Sequence, residues 1–363
     1  MINDLMHKIV VNCFPSGSQI AENINEVAPE ERFWLIPGRN GPRWLIPQDR
    51  RYGAAVLKQW RPYGLFSQAK WEILYRAYCS GLLGSVPKIV SVGVAGFMSQ
   101  QWGHLGWDGD PPVPIVYIGT RGLTQKAVLS LVDQHSQATN LVAKVPLGDN
   151  ASKSILHEFD VLASLAEENL GLAPRPYFVN RELGIASQEA LSGRLVKRRY
   201  SVRLNEYLSS LKTSHTITIR KKSDILYEKL LGMCNINARI KIFLTNVLNS
   251  IKNDTEILAV HVHGDFVPWN ILEEKSGKII PMDWELANLY GLPLYDYFYY
   301  HFQQSYLFKQ HVSTSIPPGD LAKDLPKQII EEIRKYTLVA MALDTISSGK
   351  DATYFLEKLG RAA

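Results

Sequence analysis

Short apolar runs separated by turn residues open the patterned part of the chain. Phe33–Pro37 and Trp44–Pro47 flank Gly38, Arg39, Asn40 and Gly41, which predicts a hairpin closed by an Asn-Gly turn. A third run, Ala54–Trp60, carries Lys58 and reads as a strand. Between Ser67 and Gly81 the apolar residues Trp71, Leu74, Tyr75 and Tyr78 recur at helical spacing. Ser67 is placed to cap that helix and Gly81 to end it. Pro87–Val94 returns to strand character, whereas the first ten residues read as polar and loosely held.

The Gly- and Pro-rich stretch Trp102–Pro114 reads as a linker or long loop, and His104 with Trp102 and Trp107 reads as loop packing rather than a carbohydrate platform. Beyond it the same order recurs. Val116–Gly119 and Lys126–Asp133 are expected strands, Leu141–Leu147 is a third that carries Lys144, and a helix follows with Ile155, Phe159, Leu162 and Ala166 on one face and Asn150 as its cap. Lys58 precedes Glu72 by 14 residues, and Lys144 precedes Glu158 by 14; prolines follow the two lysines at 29 and 30 residues. This spacing leaves open either a duplicated sheet-plus-helix unit or a coincidence between two common units. Pro174 precedes another strand, and Gly184–Leu191 is strand-like. Helical periodicity then dominates: Ser223–Asn253 as one long helix or two short ones, and Gln328–Ser347 with Ile329, Ile333, Tyr336, Ala340 and Leu343 on one side. Residues 258–284 are short strands around a loop, and the tyrosine-rich run Tyr295–Tyr300 reads as helical core rather than substrate contact. A sheet-rich first half meets a helix-rich second half, so the fold class is α+β.

Composition narrows this picture little. Hydrophobic residues are 46% and charged residues 21% of the 363 positions, ordinary globular usage that excludes a disordered or collagen-like chain. The net charge of +5 is too mild to indicate nucleic acid. Cys13, Cys79 and Cys234 are odd in number and widely spaced, which argues against a disulfide framework or a zinc site and for a reducing, cytoplasmic compartment. No apolar stretch approaches the ~20 residues of a membrane span. The N-terminal apolar patch is interrupted by Asn12 and lacks a cleavage pattern, so no signal peptide is expected.

The candidate chemistry is concentrated in His261–Leu272. There His263, Asp265 and Asn270 form His-x-Asp-x-x-x-x-Asn, and eighteen residues after Asp265 the apolar run Ile279–Met282 ends in Asp283. Phosphoryl transfer requires this set of parts: a carboxylate to orient and deprotonate the attacking hydroxyl, and an amide oxygen with a second carboxylate to hold Mg²⁺. The bland alternative, His263 and Asp265 capping a buried turn, does not account for the upstream lysine and glutamate.

His263-Gly-Asp-Phe-Val-Pro-Trp-Asn-Ile-Leu272 followed by Met282-Asp-Trp-Glu285 resembles the signature of the aminoglycoside phosphotransferase / choline kinase family, over about residues 112–350. The resemblance implies a two-lobed protein-kinase-like fold, with a small β-rich lobe at 111–191, a larger helical lobe at 192–363 and an extra α+β segment at 1–110. It implies Asp265 as catalytic base, and Asn270 and Asp283 as Mg²⁺ ligands. Lys144 would hold the α/β-phosphates of ATP, Glu158 would pair with Lys144, and Gln188, Glu189, Ala190 and Leu191 would form the hinge that meets the adenine. GTP remains an open alternative to ATP. His263 would brace the loop, and Asp296 matches a position that is usually structural. The loop Gly119–Gln125 lacks Gly-x-Gly-x-x-Gly, but Gly119, Thr120 and Thr124 offer backbone N–H groups and hydroxyls to phosphate. Lys144 is preferred to Lys58 because its segment runs directly into the hinge and the Asp265 loop.

A protein kinase is disfavoured. Val267 stands where a serine/threonine kinase carries lysine, Asp283-Trp284-Glu285 replaces Asp-Phe-Gly, and no Ala-Pro-Glu follows. The expected acceptor is therefore a hydroxyl on a small molecule. Residues 192–363 hold 23 basic and 18 acidic side chains, with Arg194, Lys197, Arg198 and Arg199 and then Arg220, Lys221 and Lys222 in clusters. That balance suggests a neutral or anionic acceptor, such as a sugar, a sugar phosphate or a lipid-linked glycan, the alternative being that both clusters are solvated faces. A sugar, glycan precursor or amino alcohol is the expected acceptor ahead of a polycationic aminoglycoside. The rival expectation is a catalytically silent kinase-like scaffold. No nucleic acid is expected, and no partner protein is indicated.

Overall fold

The structure is a computed structural model that describes residues 2–38, 41–60, 62, 64–168, 170–309 and 317–360. The α+β class holds. The chain forms two compact units, Met1–Leu195 and Val196–Ala363.

The first unit is built on a nine-stranded sheet: β1 (Gln19–Ile20), β2 (Arg32–Gly38), β3 (Gly41–Pro47), β4 (Val90–Ala95), β5 (Val113–Ile118), β6 (Lys126–Val132), β7 (Thr139–Pro146), β8 (Pro176–Asn180) and β9 (Ile185–Glu189). Their spatial order is β1-β4-β2-β3-β5-β6-β7-β9-β8, with every neighbouring pair antiparallel. The short β10 (Arg194–Leu195) ends the unit. The ladder between β3 and β5 pairs Trp44 with Tyr117 and Leu45 with Val116, so the sheet runs without a break across residue 110. Alternation along β5 sends Val113 and Ile115 to one face and Val116 and Ile118 to the other.

Each face has its own helical cover. On one, helix α1 (Ile2–Cys13) buries Met6, Ile9, Val10 and Cys13 against Phe33, Leu35, Val116 and Leu129. The expectation of a loosely held N-terminus is thus corrected: those four residues recur at three- and four-residue spacing and form a helical stripe. On the other face lie α2 (Arg50–Gln59) and α3 (Leu65–Ser80). The strand expected at Ala54–Trp60 is helix α2. Its apolar positions (Tyr52 and Gly53, Val56 and Leu57, Trp60) form a doubled helical stripe that reads as a continuous run, and Asp49 caps the start by accepting from Arg51 N at 3.0 Å. Gly53 lets α3 approach closely, since a Cβ there would lie 2.2 Å from Tyr78 Oη. Helix α3 begins at Leu65, ahead of the expected cap Ser67, and ends at Gly81 with φ +79°, as expected of a left-handed cap. The hairpin of β2 and β3 forms in the expected place; its turn residues Arg39 and Asn40 lie outside the described residues. Trp102 is fully buried beside Phe97 and Phe14, so the stretch after it is a packed loop rather than a linker, and its last two residues, Val113 and Pro114, already belong to β5.

Lys58 lies in the last turn of α2, and Glu72 on α3 binds Arg76 at 2.9 Å. The Lys58–Glu72 spacing therefore matches that of Lys144–Glu158 without repeating its geometry. Helix α4 (Ala151–Glu167) packs on β7, β8 and β9; Asn150 sits at its cap position but makes no capping bond.

The second unit is largely helical: α5 (Val202–Ser210), α6 (Ile219–Gly232), α7 (Ala238–Ser250), α8 (Tyr295–Phe308), α9 (Gly319–Ala322), α10 (Lys327–Ser347) and α11 (Thr353–Gly360). The region 223–253 thus holds two helices rather than one. Strands β11 (Lys212–Ile217), β12 (Ile257–Val262) and β15 (Asn288–Gly291) form one small sheet, and β13 (Ile271–Glu273) pairs with β14 (Ile279–Pro281) as a hairpin. Strand β12 delivers the chain to His263, and β14 delivers it to Asp283. Among the described residues no helix is long and apolar enough to cross a membrane.

Candidate active site

In the first unit, alternation along β7 turns Leu141, Ala143 and Val145 into the apolar core and leaves Lys144 to face α4. On α4, Glu158 shares the buried face with Ile155 and Leu162, three and four residues away. The Lys144 Nζ reaches Glu158 Oε1 at 2.7 Å and Oε2 at 2.6 Å, with Lys144 8% and Glu158 2% exposed. Two charges removed from water this completely are tolerable only as a pair, and breaking either side is costly.

The expected hinge begins at the end of β9. Gln188 is buried and pairs with Val142 of β7. Glu189 N donates to Arg175 O at 2.9 Å, Ala190 N donates to Asn140 O at 3.3 Å, and Leu191 O accepts from Gln59 Nε2 at 2.8 Å. These three backbone groups are already engaged. In the β5–β6 loop, Gly119 N donates to Lys126 O at 2.8 Å and a Cβ at this glycine would lie 2.8 Å from that oxygen, so Gly119 closes the strand pair. Thr120 is exposed on the same loop.

In the second unit, His263, Asp265, Asn270 and Asp283 are assembled by a tight backbone weave. Gly264 takes φ +85°, and a Cβ there would lie 2.2 Å from Leu286 O; only glycine fits that turn. Asp296, at the start of α8, accepts His263 N at 2.7 Å and Gly264 N at 3.0 Å. The His263 ring is engaged on both nitrogens: Nδ1 accepts from Asp265 N at 3.3 Å, and Nε2 donates to Met282 O at 2.8 Å. It also packs against Trp284, with ring centroids 4.7 Å apart. The imidazole thereby ties the Asp265 loop to the residue just before Asp283.

Asn270 Nδ2 donates to Asp265 Oδ2 at 2.7 Å and to Asp265 O at 3.1 Å. Asn270 O accepts from Met282 N at 2.6 Å, which carries the β13–β14 pairing one step further and sets the residue before Asp283 opposite Asn270. Asp283 has φ +65°, a conformation uncommon for a residue with a Cβ and concentrated at functional sites.

Burial pushes the Asp265 carboxyl up to about 6, and the negative charges of Asp283 and Glu285 push the same way. The Tyr299 hydroxyl and the hydrogen bond from Asn270 pull it back. A carboxylate held near neutrality in this way is suited to proton transfer at physiological pH. Burial drives Asp296 up to about 7 against the pull of its two backbone donors. Because Asn270 spends Nδ2 on Asp265, the oxygen of its amide is left as a hard donor which, like the Asp283 carboxylate, is of the kind suited to Mg²⁺. Among the described residues no three His, Cys, Asp or Glu side chains form a metal cluster. A cation here would draw its remaining ligands from water and phosphate, which is how Mg²⁺ is commonly held.

Sequence reasoning missed two members of this constellation. Glu285 adds negative charge that pushes the Asp265 carboxyl up, and the Tyr299 hydroxyl pulls it back down. Tyr297, Phe298 and Tyr300 are core residues as expected of the run, but Tyr299 is not. The only sequence signal for Tyr299 is its place three residues after Asp296, on the same helix face.

No protein-family model matches the chain, and no curated protein matches it. Among solved structures, the choline kinase LicA from Streptococcus pneumoniae is similar at 18% identity, over 68% of this chain and 92% of that one, with a TM-score of 0.44. A choline/ethanolamine kinase family protein from Mesorhizobium loti is similar at 15% identity, over 73% and 90%, with a TM-score of 0.42. A thermostable mutant of the aminoglycoside phosphotransferase APH(4)-Ia is similar at 12% identity, over 68% and 93%, with a TM-score of 0.48.

Proposed function

We propose that this chain is a small-molecule kinase of the aminoglycoside phosphotransferase / choline kinase type, which transfers the γ-phosphoryl group of ATP to a hydroxyl. One observation carries the reading. A half-buried carboxylate, Asp265, is held by Asn270 and lies within the field of Asp283 and Glu285, on a loop whose backbone is fixed by Asp296. That geometry suits a base with acidic neighbours and an amide oxygen for a divalent cation, and nothing about a merely structural loop calls for it.

In this reading Asp265 accepts a hydrogen bond from the acceptor hydroxyl and takes its proton as the acceptor oxygen bonds to the γ-phosphorus. The bond from that phosphorus to the β–γ bridging oxygen breaks, and ADP leaves. Asn270 and Asp283 hold Mg²⁺, which supplies neutralisation of phosphate charge. Lys144, fixed by Glu158, binds the α/β-phosphates, and the segment Gln188–Leu191 meets the adenine. Thr120 is better placed to serve phosphate than Gly119, whose N–H is spent on Lys126. The net positive charge of residues 192–363 favours a neutral or anionic acceptor, a sugar or glycan precursor ahead of an aminoglycoside.

The test is a labelled-nucleotide transfer screen against sugars, amino alcohols and aminoglycosides, with Asp265→Ala as the blank. Asp265→Ala is expected to lower transfer by at least a hundredfold with nucleotide affinity within about threefold of the parent. Full turnover by Asp265→Ala would remove the assignment. A parent chain that binds MgATP but neither transfers nor hydrolyses it would favour the silent-scaffold alternative.

A further inference from the structure

The N-terminal segment touches the stretch proposed to meet the base. Gln59, the last residue of α2, donates from Nε2 to Leu191 O at 2.8 Å, across 132 positions of the chain. Leu191 lies where the chain has just left the sheet. Strand β9 ends at Glu189, and Ala190 N donates to Asn140 O at 3.3 Å. One residue further on, the Gln59 amide takes hold of the segment.

The end of α2 is fixed from several sides. Trp71 of α3 donates from Nε1 to Leu57 O at 3.1 Å, and Trp60 N donates to Val56 O at 3.1 Å. The Trp60 ring lies edge-on to Trp71, with centroids 4.5 Å apart, and to Trp44 at 5.2 Å. Trp44 in turn meets Tyr117 at 4.8 Å. This aromatic cluster packs on the sheet face that carries Lys144. The register runs from Trp44 to Tyr117, from Tyr117 to Val128 and from Val128 to Lys144, and residues directly opposite across a ladder point to one face. Two strand spacings of about 4.8 Å each separate Tyr117 from Lys144. Helix α2 thus stands on the face from which Lys144 projects, with its last side chain bonded to the chain beyond β9.

We propose that Gln59 is a positioning residue for the nucleotide base, holding the Leu191 end of the base-binding segment to α2, so that the N-terminal segment serves the nucleotide site. The inference rests on the phosphotransferase reading above. A segment that leaves a sheet without such a bond samples several conformations, and a ligand that requires one of them must order it first. The bond from Gln59 orders the segment when the protein folds. Glutamine suits the task because its amide donates without carrying a charge; a lysine also donates, and a methionine of similar length does not. The Lys144 ammonium is held separately, by Glu158, so Gln59 acts at the base end of the nucleotide and not at its phosphates.

The experiment is equilibrium titration of the full chain with two probes: MgATP, and magnesium tripolyphosphate, which carries the phosphates without the base. Gln59→Met keeps the length of the side chain and removes the donor. The expected result is a rise of about fivefold to twentyfold in the Kd for MgATP, with the Kd for magnesium tripolyphosphate within about twofold of the parent. Gln59→Lys, which restores a donor, should bring the Kd for MgATP back to within about threefold of the parent. Gln59→Ala is a second donor-free variant and should match Gln59→Met; thermal melts of all three locate any loss due to folding. Parental affinity for MgATP in a folded donor-free variant would overturn the inference while leaving the phosphotransferase reading intact. So would an equal weakening of both probes, the mark of a general structural role, or a Gln59→Lys protein as weak as Gln59→Met. A parent chain that binds neither probe overturns both.

Discussion

Gly264 shows how tightly single residues are constrained around Asp265. Its φ of +85° and the 2.2 Å approach that a Cβ would make to Leu286 O leave no room for a side chain. Gly264→Ala is expected to destabilise the protein by at least roughly 1–3 kcal/mol and to move Asp265, so that activity falls further than stability. Urea denaturation and the transfer assay on one preparation check this; an unchanged midpoint would mean that the Leu286 segment yields readily. Much at this scale was legible in the sequence. His263, Asp265 and Asn270 lie within eight residues, so their spacing specifies their meeting almost without help from the rest of the fold. The influence of Tyr299 on Asp265 was illegible, because 34 residues separate the two and aromatic residues on a helix ordinarily signal core.

Elements decide the Lys144–Glu158 pair. Strand β7 and helix α4 are each evident from periodicity, yet the pair forms only because α4 packs with its Glu158 face toward the lysine side of β7. Glu158→Ala is expected to cost about 3–5 kcal/mol, since it leaves Lys144 without this buried counter-charge, and to weaken nucleotide binding as well. The combined change Lys144→Met with Glu158→Leu should recover most of the stability and none of the binding. Thermal melts and nucleotide titration separate the two effects; a double variant no more stable than Glu158→Ala would contradict the account. The elements misjudged from sequence, α1 and α2, failed for one reason. Each carries a helical stripe too short or too crowded with neighbouring apolar residues to be told from a loose segment or a strand, and contact with the sheet resolves it.

For the molecule as a whole, the sheet of the first unit makes residues 1–110 part of the structure that carries Lys144. Strand β3 hydrogen-bonds to β5, and α1, α2 and α3 cover the two faces to which β5 contributes. A chain starting at residue 111 would expose Val113, Ile115, Val116 and Ile118, all fully buried in the intact protein, at roughly 1.5–3 kcal/mol for each side chain. It would also open a long unpaired strand edge. The expectation is aggregation or strong binding of an apolar dye by the truncated chain. A monomeric, cooperatively folded 111–363 fragment would show that the shared sheet is dispensable.

What the sequence determined alone was local: the β7 and α4 periodicities, the Gly81 cap, the α+β class, and the spacing that sets an amide five residues from a carboxylate. Windows of about fifteen residues encode such features because turns, caps and amphipathic stripes are short-range physics. Tertiary structure decided the rest. It chose which face of α4 meets Lys144, brought Asp296 under the His263–Gly264 backbone, and joined the strands on either side of residue 110 in one sheet. Those meetings arise from burial and from the need to pair every buried polar group, and both are settled only when distant segments pack together.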